Sequence, residues 1–181
     1  MQPRHPVLRL IPAITVALAA TFSQAAYGAE GAACPDPNAN LPPALAAWGK
    51  APRPMATAHD SVEASEHALP LGQRMALKLA LTDTVKFAHQ PSEQMPKQYV
   101  YSGMASFHVA KDGNYTVMIS EANWIDVIQN GQPIQSLQMR GRIPCAKYGK
   151  KIEFPLKGGE AIVQFFAAPY ETVDVLVAPT P

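Results

Sequence analysis

The stretch that decides the fold is "ANWIDVIQNGQPIQS", residues Ala122–Ser136. Apolar and polar side chains alternate up to Asn130-Gly131, and a second short run follows. Asn-Gly is the strongest short hairpin signal, because both central residues of a type I′ turn need a positive φ. We therefore predict an antiparallel hairpin in which Trp124–Ile128 pairs with Pro133–Met139.

The same period of two recurs along the chain on both sides of this hairpin. It predicts that Met75, Leu77, Leu79 and Leu81 share one face of a strand. Six further runs show the same alternation: "TVKFA", "SGMASFHVA", "NYTVMIS", "KIEFPL", "EAIVQFF" and "TVDVLVA". Such alternation marks strands with one buried face. About eight or nine short strands at turn spacing indicate an all-β fold, a single antiparallel β-sandwich or jelly roll. We assign it to residues 73–181.

The first 28 residues have the form of an export signal. Arg4 and Arg9 precede the uncharged apolar run Leu10–Phe22, and small residues then allow cleavage after Ala25 or after Gly28. A membrane anchor is the alternative, but the run is shorter than the roughly 20 residues that span a bilayer. We expect a periplasmic or secreted protein that has no transmembrane segment after cleavage.

The charge balance of the mature chain argues against a nucleic-acid partner. Cleavage removes Arg4 and Arg9 from the 15 basic residues and none of the 14 acidic ones, so 13 basic residues face 14 acidic ones. The resulting net charge of −1 gives no positive field for phosphate.

Residues 29–72 read as a Pro/Ala-rich arm. Its prolines are expected to deny it a ladder of backbone hydrogen bonds, and residues 56–68 are expected to be mobile. One short helix is predicted at Pro42–Trp48, where Leu45 and Trp48 share a face that would pack on the sandwich.

Two cysteines are present, Cys34 and Cys145. Export would put them in an oxidising compartment, where an even count favours a disulfide. Two separate buried thiols are the competing interpretation. Lipid attachment at Cys34 is disfavoured, because Gly31 occupies the position where an aliphatic residue is needed.

Two groups of residues are candidate binding sites. Trp124 and Asp126 would lie on one face of their strand, an arrangement suited to sugar, with the ring on an aromatic and hydroxyls on a carboxylate. The alternative, which the short strand and the nearby arm favour, is that Trp124 packs at the edge of the core.

The second group is the basic cluster of residues 140–151, including Arg140, Arg142 and Lys147, which would suit an anionic envelope polymer or lipid headgroup. Its alternative is a solvated loop that protects a sheet edge.

Several strings resemble a family of small exported bacterial proteins: "LPPALAAW", "YSGMASFHVAKDGNYTV", "WIDVIQNGQPIQS" and "CAKYGKKIEFPLKGGEAIVQF". The resemblance covers roughly residues 34–178 and implies a β-sandwich. Members often carry the automatic name homogentisate 1,2-dioxygenase. The resemblance implies no catalytic set.

The dioxygenase name can be tested against the histidines. Ring cleavage of this type needs iron on two histidines and a carboxylate. His59 and His67 lie in the arm, His89 in a turn and His108 alone on a strand, and no His-x-His pairing occurs. We therefore predict no metal, no cofactor and no catalytic residues.

The predicted function is that of an exported, non-catalytic binding or envelope accessory protein. An envelope polysaccharide or another anionic envelope component is the expected partner. A metal-dependent oxidoreductase is the alternative.

Overall fold

Eleven strands and three short helices make up the described part of the protein, which is a computed structural model covering residues 41–91, 100–121, 123–141 and 147–180. The strands are β1 (Arg53–Ala56), β2 (Met75–Lys78), β3 (Ala80–Leu81), β4 (Tyr101–Val109), β5 (Gly113–Ile119), β6 (Trp124–Gln129), β7 (Gln132–Pro133), β8 (Gln138–Arg140), β9 (Lys150–Leu156), β10 (Gly159–Ala168) and β11 (Thr172–Pro179). The helices are α1 (Ser61–Ala64) and two 3₁₀ helices, Pro43–Gly49 and Thr82–Thr84.

These strands form two sheets with mostly antiparallel pairing. The six-stranded sheet has the order β1-β2-β11-β5-β9-β8, and the five-stranded sheet has the order β3-β4-β10-β6-β7. Residues of both sheets form one core, among them Phe107, Val117, Phe154 and Phe165. The predicted all-β sandwich is therefore confirmed.

The predicted hairpin is confirmed at its turn and wrong beyond it. Asn130 and Gly131 have φ values of 54° and 72°, as a type I′ turn requires. Ile128 pairs with Pro133, and the Ile134 amide donates to the Val127 oxygen across 2.8 Å. The chain then crosses to the other sheet, where β8 pairs with β9. Turn chemistry sets the first pairs of a hairpin, but it does not fix how far the second strand follows the first.

A second change of sheet accounts for two wrong predictions near Leu81. Met75, Leu77 and Leu79 are buried as expected, but Leu81 is 52% exposed. The chain passes between β2 and β3 from the six-stranded to the five-stranded sheet, which breaks the alternation. Of residues 84–88, predicted as a strand, Thr84 ends the 3₁₀ helix Thr82–Thr84 and residues 85–88 belong to no strand.

The Pro/Ala-rich segment contributes more to the sheets than its prolines suggested. β1 pairs in parallel with β2, with Arg53 opposite Met75, so the expectation of no ladder is wrong here. Pro54 is accommodated because β1 lies at the sheet edge, where a missing N–H costs little. Within residues 56–68, isolated bridges join Ala58 to Met104 and Ala68 to Ser106.

The helix predicted at Pro42–Trp48 is present as the 3₁₀ helix Pro43–Gly49. Its Leu45 and Trp48 are buried against Met118 and Leu176 on the outer face of the six-stranded sheet, as predicted. Among the described residues, no helix has the length and apolar character needed to cross a bilayer.

Candidate functional site

A groove opens where the chain leaves β6 and crosses to the other sheet. Among the described residues, β7 is the last strand that pairs with β6 on the side away from β10. The next strand, β8, pairs with β9 of the other sheet, and the groove lies between the two sheets at this edge. The groove has a volume of about 410 Å³. Its polar and exposed side chains are Trp124, Asp126, Gln135, Ser136, Met139 and Lys150, and core residues such as Ile152 and Phe154 lie behind them.

Trp124 presents part of its indole to this groove. The residue is 42% exposed, whereas its neighbour Ile125 is buried in the core. Its ring is stacked on that of Phe166, with the centroids 6.4 Å apart and the planes 19° from parallel. Phe166 is fully buried and meets Phe87 edge-on at 6.2 Å. The expectation that Trp124 is packed is therefore correct for one side of the residue only, because β7 pairs with β6 at Ile128 and Gln129 and not at Trp124.

Asp126 is half-buried and its carboxylate is oriented by a buried amide. Gln164 Nε2 donates to Asp126 Oδ2 at 3.3 Å and to the His89 backbone oxygen at 2.9 Å. The His89 amide in turn donates to Gln164 Oε1 at 3.3 Å. Gln164 is fully buried, so this amide holds both the loop at His89 and the carboxylate in place.

Lys150 brings a cation into the same groove. Its Nζ lies 4.8 Å from the centroid of the Trp124 ring and donates to the Asn123 backbone oxygen at 3.0 Å. Burial lowers the pKa of the Lys150 ammonium, because removal from water disfavours the charged form.

The contact between Lys150 and Asn123 depends on a close approach of two backbones. A Cβ atom at Gly149 would lie 2.6 Å from the Glu121 carbonyl oxygen, so only glycine fits there. The Gly149 amide also donates to the Ile119 oxygen at 2.8 Å. The loop between β5 and β6 is thereby held against the start of β9, where Lys150 begins the strand.

The residues predicted as binding groups are distributed over three places. Trp124 and Asp126 line the groove, whereas the described lining includes neither Arg140 nor Lys147. Arg140 is exposed on β8, beside Met139 of the groove. Lys147 is exposed, and its backbone oxygen accepts a hydrogen bond from Trp48. Arg142, Cys34 and Cys145 lie outside the described residues.

Lys150 was predicted only as a member of the basic cluster of residues 140–151, and Met139 was not predicted as a site residue. A more specific signal for Lys150 is present in the sequence. In "KKIEFPL", period two puts Lys150 on the same face as Ile152, Phe154 and Leu156. Those three are core residues, so Lys150 is a lysine on the core face of its strand.

His59 and His67 both contact Glu63, and His67 Nδ1 lies 3.1 Å from the Glu63 backbone oxygen. His59 Nδ1 lies 3.2 Å from Glu63 Oε2, and His108 Nδ1 lies 2.9 Å from Glu160 Oε1. His89 contacts Gln164 only through its backbone in the bonds described above. In the part of the chain that the structure describes, no three His, Cys, Asp or Glu residues are grouped as metal ligands would be.

Comparison of the chain with protein-family models, with curated proteins and with solved structures finds no match. The groove must therefore be interpreted from its own chemistry.

Proposed function

We propose that this is an exported, non-catalytic binding protein of the cell envelope or exterior, and that its groove binds a sugar ring of an envelope polysaccharide. Export is the expectation from residues 1–28. The observation that carries the proposal is the partly exposed Trp124, held flat by a buried Phe166 and sharing one groove with Asp126.

The chemistry of the groove fits a carbohydrate. A pyranose has an apolar C–H face, which packs on an aromatic ring, and a rim of hydroxyl groups, which need hydrogen-bond partners. Trp124 offers the ring, while Asp126, Gln135 and Ser136 offer polar partners. Binding sites commonly combine an apolar wall with a few oriented polar groups in roughly 300–1,000 Å³. Gln164 already orients the Asp126 carboxylate, so binding does not carry the entropic cost of ordering that side chain.

The proposal is tested by measuring retention of the mature protein on a panel of immobilised neutral and acidic polysaccharides. Trp124→Ala should abolish retention on any polymer that the wild type binds, because the stacking surface is lost. Tyr170→Ala is the matched control, since Tyr170 is 60% exposed and does not line the groove. Equal loss in both variants, or no retention of the wild type on any polymer, would refute the assignment.

A further inference from the structure

We propose that the protein has a second binding site, a basic pocket for a phosphate ester, formed by Lys50, Arg53 and Arg74. The pocket has a volume of about 340 Å³ and lies where the end of the 3₁₀ helix Pro43–Gly49 meets β1 and the residues before β2. Its described lining shares no residue with the groove at Trp124, and β1 and β8 are opposite ends of the six-stranded sheet. The inference therefore goes beyond the proposed function and does not depend on it.

Three separate parts of the chain bring these cationic side chains together. Lys50 directly follows the 3₁₀ helix, Arg53 begins β1, and Arg74 directly precedes β2. The parallel pairing of β1 with β2 holds the two arginines close, because the Arg53 amide donates to the Arg74 oxygen at 3.0 Å. Like charges that line one pocket repel one another, and a bound anion offsets this repulsion.

Arg74 gives the pocket a fixed wall. Its Nε and Nη2 donate to Asp174 Oδ2 at 3.1 Å and 2.6 Å. Its Nη1 donates to the backbone oxygens of Trp48 at 2.7 Å and of Lys50 at 3.3 Å. Because Asp174 balances the charge of Arg74, the positive field of the pocket comes chiefly from the exposed side chains of Lys50 and Arg53.

The donors of the pocket fit a phosphate ester better than a carboxylate. A guanidinium matches phosphate oxygens with a planar fork, and an ammonium supplies a point charge beside it. A phosphate monoester carries about two negative charges at neutral pH, whereas a carboxylate carries one. Arg53 Nη1 donates to Gln73 Oε1 at 3.3 Å, so another lining residue helps to hold this guanidinium at the pocket.

The size of the pocket suits a phosphate that is attached to a small neutral group. Its volume is at the lower end of the range of roughly 300–1,000 Å³ that is usual for small-molecule sites. A sugar phosphate and the phosphate headgroup of a lipid both present this chemistry, and the experiment has one arm for each source.

The first arm is a calorimetric titration of the mature protein with glucose 6-phosphate, glucuronate and glucose, which share a ring and differ at C6. At constant ionic strength, the wild type should bind glucose 6-phosphate about tenfold or more tightly than the other two, as charge-assisted hydrogen bonds predict. Replacing both exposed cations, by Lys50→Ala and Arg53→Ala, should abolish this preference. The control pair Lys86→Ala and Lys111→Ala removes the same charge from exposed residues outside the pocket lining and should preserve it.

The second arm is sedimentation with phosphatidylcholine vesicles that contain or lack phosphatidic acid. Binding to glucose 6-phosphate identifies a site open to soluble esters, and binding to the acidic vesicles alone identifies a lipid headgroup. In either case binding should require Lys50 and Arg53. No binding in either arm would overturn the inference, as would be the case if another part of the chain filled the pocket.

Three further results would overturn the inference. Equally tight binding of glucuronate would show that phosphate is not selected. An equal loss in the control pair of variants would show a general effect of charge. Loss of the phosphate preference in Trp124→Ala would place the phosphate in the groove instead. The proposed function is tested separately, because failure of the polysaccharide panel with intact binding of glucose 6-phosphate would remove the groove assignment and leave this pocket standing.

Discussion

The indole Nε1 of Trp48 donates a hydrogen bond to the backbone oxygen of Lys147 across 3.3 Å. Arg74 reinforces this attachment, because its guanidinium carbon lies 4.6 Å from the Trp48 ring centroid and its Nη1 donates to the Trp48 oxygen at 2.7 Å. The same guanidinium is paired with Asp174 at 2.6 Å. The segment before β1 is thus fastened both to the six-stranded sheet and to the chain just before β9.

The disulfide between Cys34 and Cys145, both outside the described residues, stays a prediction. Lys147 is two residues after Cys145, and Cys34 is seven residues before Leu41, a stretch that can span up to about 24 Å. We expect the exported, denatured protein to show no thiol that reacts with an alkylating reagent, and two after reduction. Two reactive thiols without reduction would contradict the bridge.

Trp48→Ala should strongly destabilise the protein. Trp48 is fully buried between the 3₁₀ helix and the six-stranded sheet, so truncation should lower the free energy of unfolding by about 3–5 kcal/mol. Urea unfolding followed by circular dichroism measures this. A change below about 1 kcal/mol, the usual range for exposed positions, would show that the arm contributes little to the fold.

Trp124→Ala should cost less than Trp48→Ala. Trp124 is 42% exposed, so truncation uncovers roughly 100 Å² of apolar surface and should cost about 2 kcal/mol at most. The same unfolding experiment compares the two tryptophans directly. If Trp124→Ala costs as much as Trp48→Ala, Trp124 is chiefly a packing residue and the proposed binding surface loses its support.

The features that could be predicted from the sequence are those decided by neighbouring residues. The Asn130-Gly131 turn and the alternation of β2 depend on local backbone preference and on one buried face. The crossing after Ile134 and the parallel pairing of β1 depend on contacts between distant segments, which no local pattern encodes. The groove could not be predicted for the same reason, because it exists only where Lys150 from one sheet meets Trp124 from the other.

Stability at alkaline pH should reveal the partial burial of Lys150. Burial lowers the pKa of its ammonium in the folded protein, while the unfolded chain keeps the ordinary value of about 10.4. Between these two values the unfolded state binds more protons, so the free energy of unfolding rises with pH. Below both values the ammonium is charged in both states, and its cost to stability is constant. We expect the wild type to gain stability relative to Lys150→Ala as pH approaches about 10.4, as measured by urea unfolding at several pH values.

Lys151→Ala should follow the wild type, because Lys151 points away from the groove. Parallel curves for the wild type and Lys150→Ala would mean that the ammonium stays hydrated in the folded protein.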